Sequence, residues 1–166
     1  MNLNDYKKEF FSRPVGCVHK ISYGNDQSFF HWHPHYEITL IRSGKYILEN
    51  NMTVVRSDRP VVFVHRPFCL HRLNAESSCL YDRYIIYIDR SVVNEFRDTL
   101  SDLSWLSEAT LVCISPDKDE FDELLWLAEK LYDAVGHDYC AVEKYNPAKG
   151  AIVLFHCAII MSNSII

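Results

Sequence analysis

The chain has 166 residues, of which 48% are hydrophobic and 13% aromatic, and its net charge is −5. That is enough apolar side chain for one compact core, and it excludes a disordered or low-complexity protein. Residues 1–89 hold eleven Lys and Arg against nine Asp and Glu, and residues 90–166 hold six against thirteen, so neither half offers the clustered basic face that grips nucleic acid.

Residues 1–14 read as a polar arm closed by Pro14. From Val15 to Asp89 the pattern is short β segments divided by turn signals. Cys17–Tyr23 alternates until Gly24-Asn-Asp-Gln-Ser28 breaks it. His31–His33 and Tyr36–Arg42 follow, interrupted by Pro34. Ser43-Gly44 is expected to make a hairpin turn into Lys45–Glu49, and Asn50-Asn51 a second turn into Met52–Arg56. Val61–His65, Leu70–Leu73 and Leu80–Ile88 complete the series. Roughly eight short strands at this spacing predict a small antiparallel barrel or jelly roll.

After Asp89 the period changes. Asp89 to Leu106 holds one or two helical turns, with Val92, Val93, Phe96 and Leu100 on one side, and Leu111–Ile114 reads as a further strand. Ser115 as N-cap and Pro116 at the first position predict a helix start, with Asp117, Asp119 and Glu120 near its positive end. Phe121, Leu124, Leu125, Ala128, Leu131, Tyr132 and Val135 recur at helical steps until Gly136 closes the helix. Asn146-Pro147 opens another, striped by Ile152, Phe155 and Ile159. The expected fold class is therefore mostly β with C-terminal α: an antiparallel β-barrel followed by two amphipathic helices. It divides into an arm (1–14), a barrel (15–114) and a helical region (115–166). The helices either cover a barrel edge or supply an oligomer seam; Phe121, Leu124, Leu127, Ala128 and Leu131 are the candidate dimerisation residues.

No apolar run approaches the ~20 residues that span a bilayer, and Met1 to Glu9 has no signal-peptide core. A cytoplasmic chain with no membrane partner is expected. Six scattered cysteines without a C-x-x-C pair read as reduced thiols.

The densest chemistry is His31-Trp-His33-Pro-His35-Tyr-Glu37. Alternate residues of a strand share a face, so His31 and His33 point the same way, and Glu37 can return to that side. His71 supplies a third imidazole from a separate strand. Three imidazoles and a carboxylate suit a divalent transition metal such as Zn, Ni, Fe or Mn; the same four also suit a polar pocket for an organic effector. His35, after Pro34, is expected to be a solvated loop histidine. Arg83, in the middle of an apolar strand, must find a partner or face a wet cavity. Tyr46, Tyr81 and Trp32 are pocket candidates whose alternative is core packing. No nucleophile–base arrangement or phosphate-cradling glycine loop is present in the sequence.

His31-x-His33-x3-Glu37-x6-Gly44 resembles the first cupin motif, and Pro67-x3-His71 resembles a degraded second one. With Tyr36 before the glutamate, the Ser43-Gly44 turn and Tyr81-Asp-Arg83-Tyr-Ile-Ile-Tyr-Ile-Asp, the run from about Val15 onward resembles the N-terminal sensor domain of AraC-family transcription regulators. Departures stand at Gly24, at Ser57, and at Phe68 in place of a motif glycine. The resemblance implies a cupin-like barrel that binds a small-molecule effector through His31, His33, Glu37, Tyr46, His71, Tyr81 and Arg83, needs no cofactor, and forms a homodimer through its helices. It implies a regulator rather than an enzyme, with DNA contacted through a helix-turn-helix domain that this chain does not include. A metal-dependent cupin oxygenase or isomerase is the alternative.

Overall fold

The structure, a computed structural model, describes residues 14–23, 29–50, 53–76, 79–96 and 111–135. They form strands β1 (Val15–Tyr23), β2 (Tyr36–Ser43), β3 (Tyr46–Asn50), β4 (Val54–Ser57), β5 (Val61–His65), β6 (His71–Ala75), β7 (Leu80–Ile88) and β8 (Leu111–Ile114). Two helices accompany them, α1 (Arg90–Phe96) and α2 (Lys118–Val135). The strands make a five-stranded sheet in the order β1-β7-β2-β5-β8 and a three-stranded sheet in the order β4-β3-β6, and every pairing is antiparallel. This is the expected cupin-like, jelly-roll arrangement, in which the two sheets face each other without closing.

Turn chemistry decides how the chain crosses between sheets. At Gly44, φ is 120° and an added Cβ would lie 2.9 Å from the Leu80 carbonyl oxygen, so only glycine fits. The expected hairpin at Ser43-Gly44 is instead a crossing, because β2 and β3 lie in different sheets. The turn after β3 is a true hairpin: β3 pairs with β4, and Asn50 accepts the Thr53 N–H at 2.8 Å on its side-chain oxygen. The expected strand at His31–His33 is reduced to one bridge, His31 to His71, with reciprocal backbone bonds of 3.0 Å; Pro34 has no N–H with which to extend it.

Alternation along the central strands gives the large sheet two distinct faces. On the outer face Ile38, Leu40, Val62, Val64, Tyr84 and Ile86 pack under Val92 and Val93 of α1 and under Phe121, Leu124, Ala128 and Leu131 of α2. Burying Phe121, Leu124 and Leu131 contributes roughly 1.5–3 kcal/mol each. On the inner face Ile41, Val61, Phe63 and Tyr81 meet Tyr46, Leu48 and Ala75 of the small sheet.

Two expectations for α2 are corrected here. Its N-cap is Asp117 rather than Ser115: the Asp117 N–H donates to Glu120 Oε2 at 3.0 Å, and the Glu120 N–H donates to Asp117 Oδ1 at 2.9 Å. Glu120 stands three residues after Asp117 and so completes a capping box that Ser115 cannot make. Phe121, Leu124, Ala128 and Leu131, expected as a dimer seam, are buried against the chain's own sheet, and Leu127 borders the same cluster. Trp126, 55% exposed, is the large apolar side chain that α2 turns outward. All of the expected arm (1–14) but Pro14, and the helix expected from Asn146, lie outside the described residues. Cys17, Cys69, Cys79 and Cys113 are free thiols, and burial pushes the Cys17 thiol far up. No described helix is long and apolar enough to cross a membrane.

Candidate functional site

The inner faces of the sheets change character along the strands. One half is the apolar cluster just described. In the other, Glu37 of β2 stands opposite both His65 of β5 and Tyr87 of β7, Thr39 follows one layer on, and Lys20 of β1 stands opposite Arg83 of β7. These inward positions surround a cavity of about 390 Å³, lined among others by Phe29, His31, Thr39, Leu73 and Ile85.

Four of the expected residues converge. One ligand-type atom from each of His31, His33, Glu37 and His71 lies within 4.8 Å of every other. Local geometry aims the imidazoles. Nδ1 of His31 is 2.8 Å from the Phe29 carbonyl oxygen, Nδ1 of His33 is 2.9 Å from that of His35, and Nδ1 of His71 is 2.9 Å from that of Cys69. A carbonyl only accepts, so each Nδ1 carries a proton, and Nε2 is the atom turned to the centre. Such pinning is what a metal-binding histidine needs from its surroundings. Glu37 is held in the same way: Nε2 of His33 is 3.0 Å from Oε2, and the Thr39 hydroxyl donates to Oε1 at 3.0 Å.

Burial alone would raise the Glu37 carboxyl, but the His33 hydrogen bond and the charge of His71, whose Nε2 lies 3.7 Å from Oε1, hold it well below the usual carboxylate range. Burial likewise opposes charge on His71, yet Glu37 beside it raises the imidazole above its ordinary value. Burial lowers His31. His65 adds a fourth imidazole that sequence reasoning missed; it is fully buried, and burial with charge from His71 pushes it down to about 3. Neither His65 nitrogen, nor Nε2 of His71, has a hydrogen-bond partner. Buried polar atoms in that condition call for a further group in the site.

The remaining candidates divide. Arg83 is where it was expected, 5% exposed in the cavity wall, donating to the Ser22 hydroxyl at 3.1 Å with its guanidinium 4.0 Å above the Tyr81 ring. Tyr46 and Tyr81, expected to line the pocket, are corrected to core: both are fully buried in the apolar half, where Tyr46 packs edge-on to Phe63 and donates to the Arg59 carbonyl oxygen at 3.1 Å. Trp32 points away from its histidine neighbours, 52% exposed beside Phe68. His35 is buried rather than solvated, with Nε2 3.6 Å from Asp89 Oδ2. Phe68 keeps the left-handed backbone of the glycine it replaces, at φ 64°, and its N–H donates to the His33 carbonyl oxygen at 2.8 Å. That bond fixes the loop before His71 to the segment bearing His33.

A family model described as AraC-like ligand binding domain matches residues 14–138. Among solved structures, ToxT from Vibrio cholerae O395 aligns with a TM-score of 0.62 at 10% identity, over 90% of this chain and 55% of that one. ToxT bound to (E)-4-(8-methylnaphthalen-1-yl)but-3-enoic acid aligns at 0.61 and 12% identity, over 90% and 58%. Wild-type ToxT of strain SCE256 bound to an unsaturated fatty acid aligns at 0.56 and 13% identity, over 89% and 54%. These likenesses are of fold, and the chain spans just over half the length of the ToxT chains it matches. No curated protein sequence matches the chain.

Proposed function

From the premise that the chain belongs to the AraC-like ligand binding domain family, we propose that it is the small-molecule-sensing part of a bacterial transcription regulator and that its effector binds between the two sheets. The carrying observation is the cavity walled by His31, Glu37 and His71, where Nε2 of His71 and both nitrogens of His65, stacked on it, lack hydrogen-bond partners. A protein built only to fold gains by filling such a space with apolar side chains. Cavities of this size with a few convergent polar groups are the usual form of small-molecule sites. In this reading the site binds and does not turn over, and DNA is contacted by a helix-turn-helix domain elsewhere in the regulator.

His31, His33, Glu37 and His71 would hold a divalent transition metal. Their donor set fits one, with three pinned imidazoles and one oriented carboxylate. The ion would supply a Lewis-acidic contact for an oxygen of the effector. Two copies of the domain meet, in the same reading, at the outward face of α2 that carries Trp126.

A thermal-shift screen of sugars, organic acids and metals tests the sensor. A specific ligand stabilises by RT ln(1 + [L]/Kd), about 2.7 kcal/mol at a hundredfold excess over Kd. The regulator assignment is tested by the native reading frame past Ile166. A pair of helix-turn-helix units is expected there, and a stop codon would contradict it.

A further inference from the structure

A second and larger cleft, of about 620 Å³, lies along the first turns of α2, apart from the histidine cavity. Pro60, Phe121 and Leu125 give it an apolar side, and Arg42, Arg59 and Ser115 stand exposed on its rim. Trp126 is its neighbour on the helix. Asp122 lines the cleft, and residues four apart share a side of a helix, so the exposed indole and the cleft flank each other. Phe121 and Trp126 lie about 7.5 Å apart along the axis of α2 at helical rise. A two-fold axis crossing α2 midway between them brings each Trp126 level with Phe121 of the other copy. One knob and one hole per chain are then filled twice. At the ~30 Å³ of a liquid water per atom, the cleft has room for about 20 non-hydrogen atoms, more than an indole needs.

Charge points to the same occupant. The solvent side of α2 carries Asp119, Glu129 and Asp133, and two such faces brought together repel unless cations stand across from them. Arg42 reaches Asp82 of its own chain only at 3.8 Å, and with Arg59 it supplies those cations at the rim. We propose that the cleft receives Trp126 of a second copy, with Arg42 and Arg59 facing the acids of that copy's α2. This rests on the reading that two copies meet at the outward face of α2. A tryptophan seated in a partner's pocket is the usual form of an interface anchor.

Complementation between two variants of the full chain tests the seat. Ser115→Trp fills the cleft from an exposed position and keeps the knob, whereas Trp126→Ala removes the knob and keeps the cleft. Sedimentation equilibrium is expected to show each variant dimerising at least tenfold more weakly than the wild type, with circular dichroism unchanged. Their equimolar mixture is expected to associate more tightly than either alone, because one open cleft then meets one intact indole. Arg59→Glu, at a second exposed position, serves should Ser115→Trp not fold, and is also expected to weaken the dimer at least tenfold. A Ser115→Trp or Arg59→Glu protein as dimeric as the wild type would overturn the cleft assignment and leave the α2 dimer standing. A mixture no tighter than its components would overturn it as well. A monomeric wild type would overturn the dimer reading together with the cleft.

Discussion

His65 lies stacked on His71, ring centroids 4.0 Å apart and planes 18° from parallel, and neither nitrogen of His65 has a hydrogen-bond partner. Leaving a buried polar atom unsatisfied costs about 1–3 kcal/mol. His65→Phe keeps the stacked ring and removes the nitrogens. The ligand-free, chelated protein is therefore expected to keep its stability or to gain up to about 2 kcal/mol. Urea unfolding of both proteins measures this. A loss of more than about 1 kcal/mol would show that the His65 nitrogens are satisfied in solution.

Phe68 holds a left-handed backbone at φ 64°, a conformation that costs a side-chain-bearing residue roughly 1–2 kcal/mol. Phe68→Gly should stabilise the domain by about 0.5–1 kcal/mol, the remainder being offset by the freedom glycine gains when unfolded. Phe68→Ala keeps the strain and loses the ring beside Trp32, so it should bring no gain. Paired denaturation curves separate the two, and equal effects of Gly and Ala would remove backbone strain as the explanation.

The motif residues were legible because their relationships are local. His31 and His33 alternate, Glu37 follows closely, and Pro67 announces the turn to His71. His65 was not legible: it reaches the site because β5 pairs with β2, placing it opposite Glu37, and nothing in a valine-rich strand declares its partner. The Lys20–Arg83 opposition depends in the same way on β1 pairing with β7. Tyr46 and Tyr81 were placed on the correct side of their strands but in the wrong half of the interior, because alternation gives a face and not a depth. Asp117 and Ser115 are both good caps, and Glu120 decides between them through the carboxylate that accepts the Asp117 N–H.

The dimer reading now rests on Trp126, since the apolar stripe of α2 is used inside the chain. Trp126→Glu should halve the mass measured by light scattering at tens of micromolar. The melting temperature should hold, because Trp126 is already half in solvent. A wild-type monomer at that concentration would contradict a dimer outright.

For the metal, tag-free protein is expected to carry close to one equivalent of zinc, nickel, iron or manganese by elemental analysis, and His33→Ala to release it. Thr39→Val removes the hydroxyl that orients Glu37 and should weaken the metal about 10–100-fold. Less than a tenth of an equivalent, with melting unchanged by a chelator, would contradict the site.

The central claim is that the space between the sheets is where the effector binds, and titration calorimetry with the most stabilising compound of the screen tests it most directly. Ile85 lies in the cavity wall, so Ile85→Trp fills the space from within. The expected result is one site per chain in the wild type and affinity at least tenfold lower in the folded Ile85→Trp variant. Equal affinity in the two proteins would place the ligand elsewhere and contradict the account.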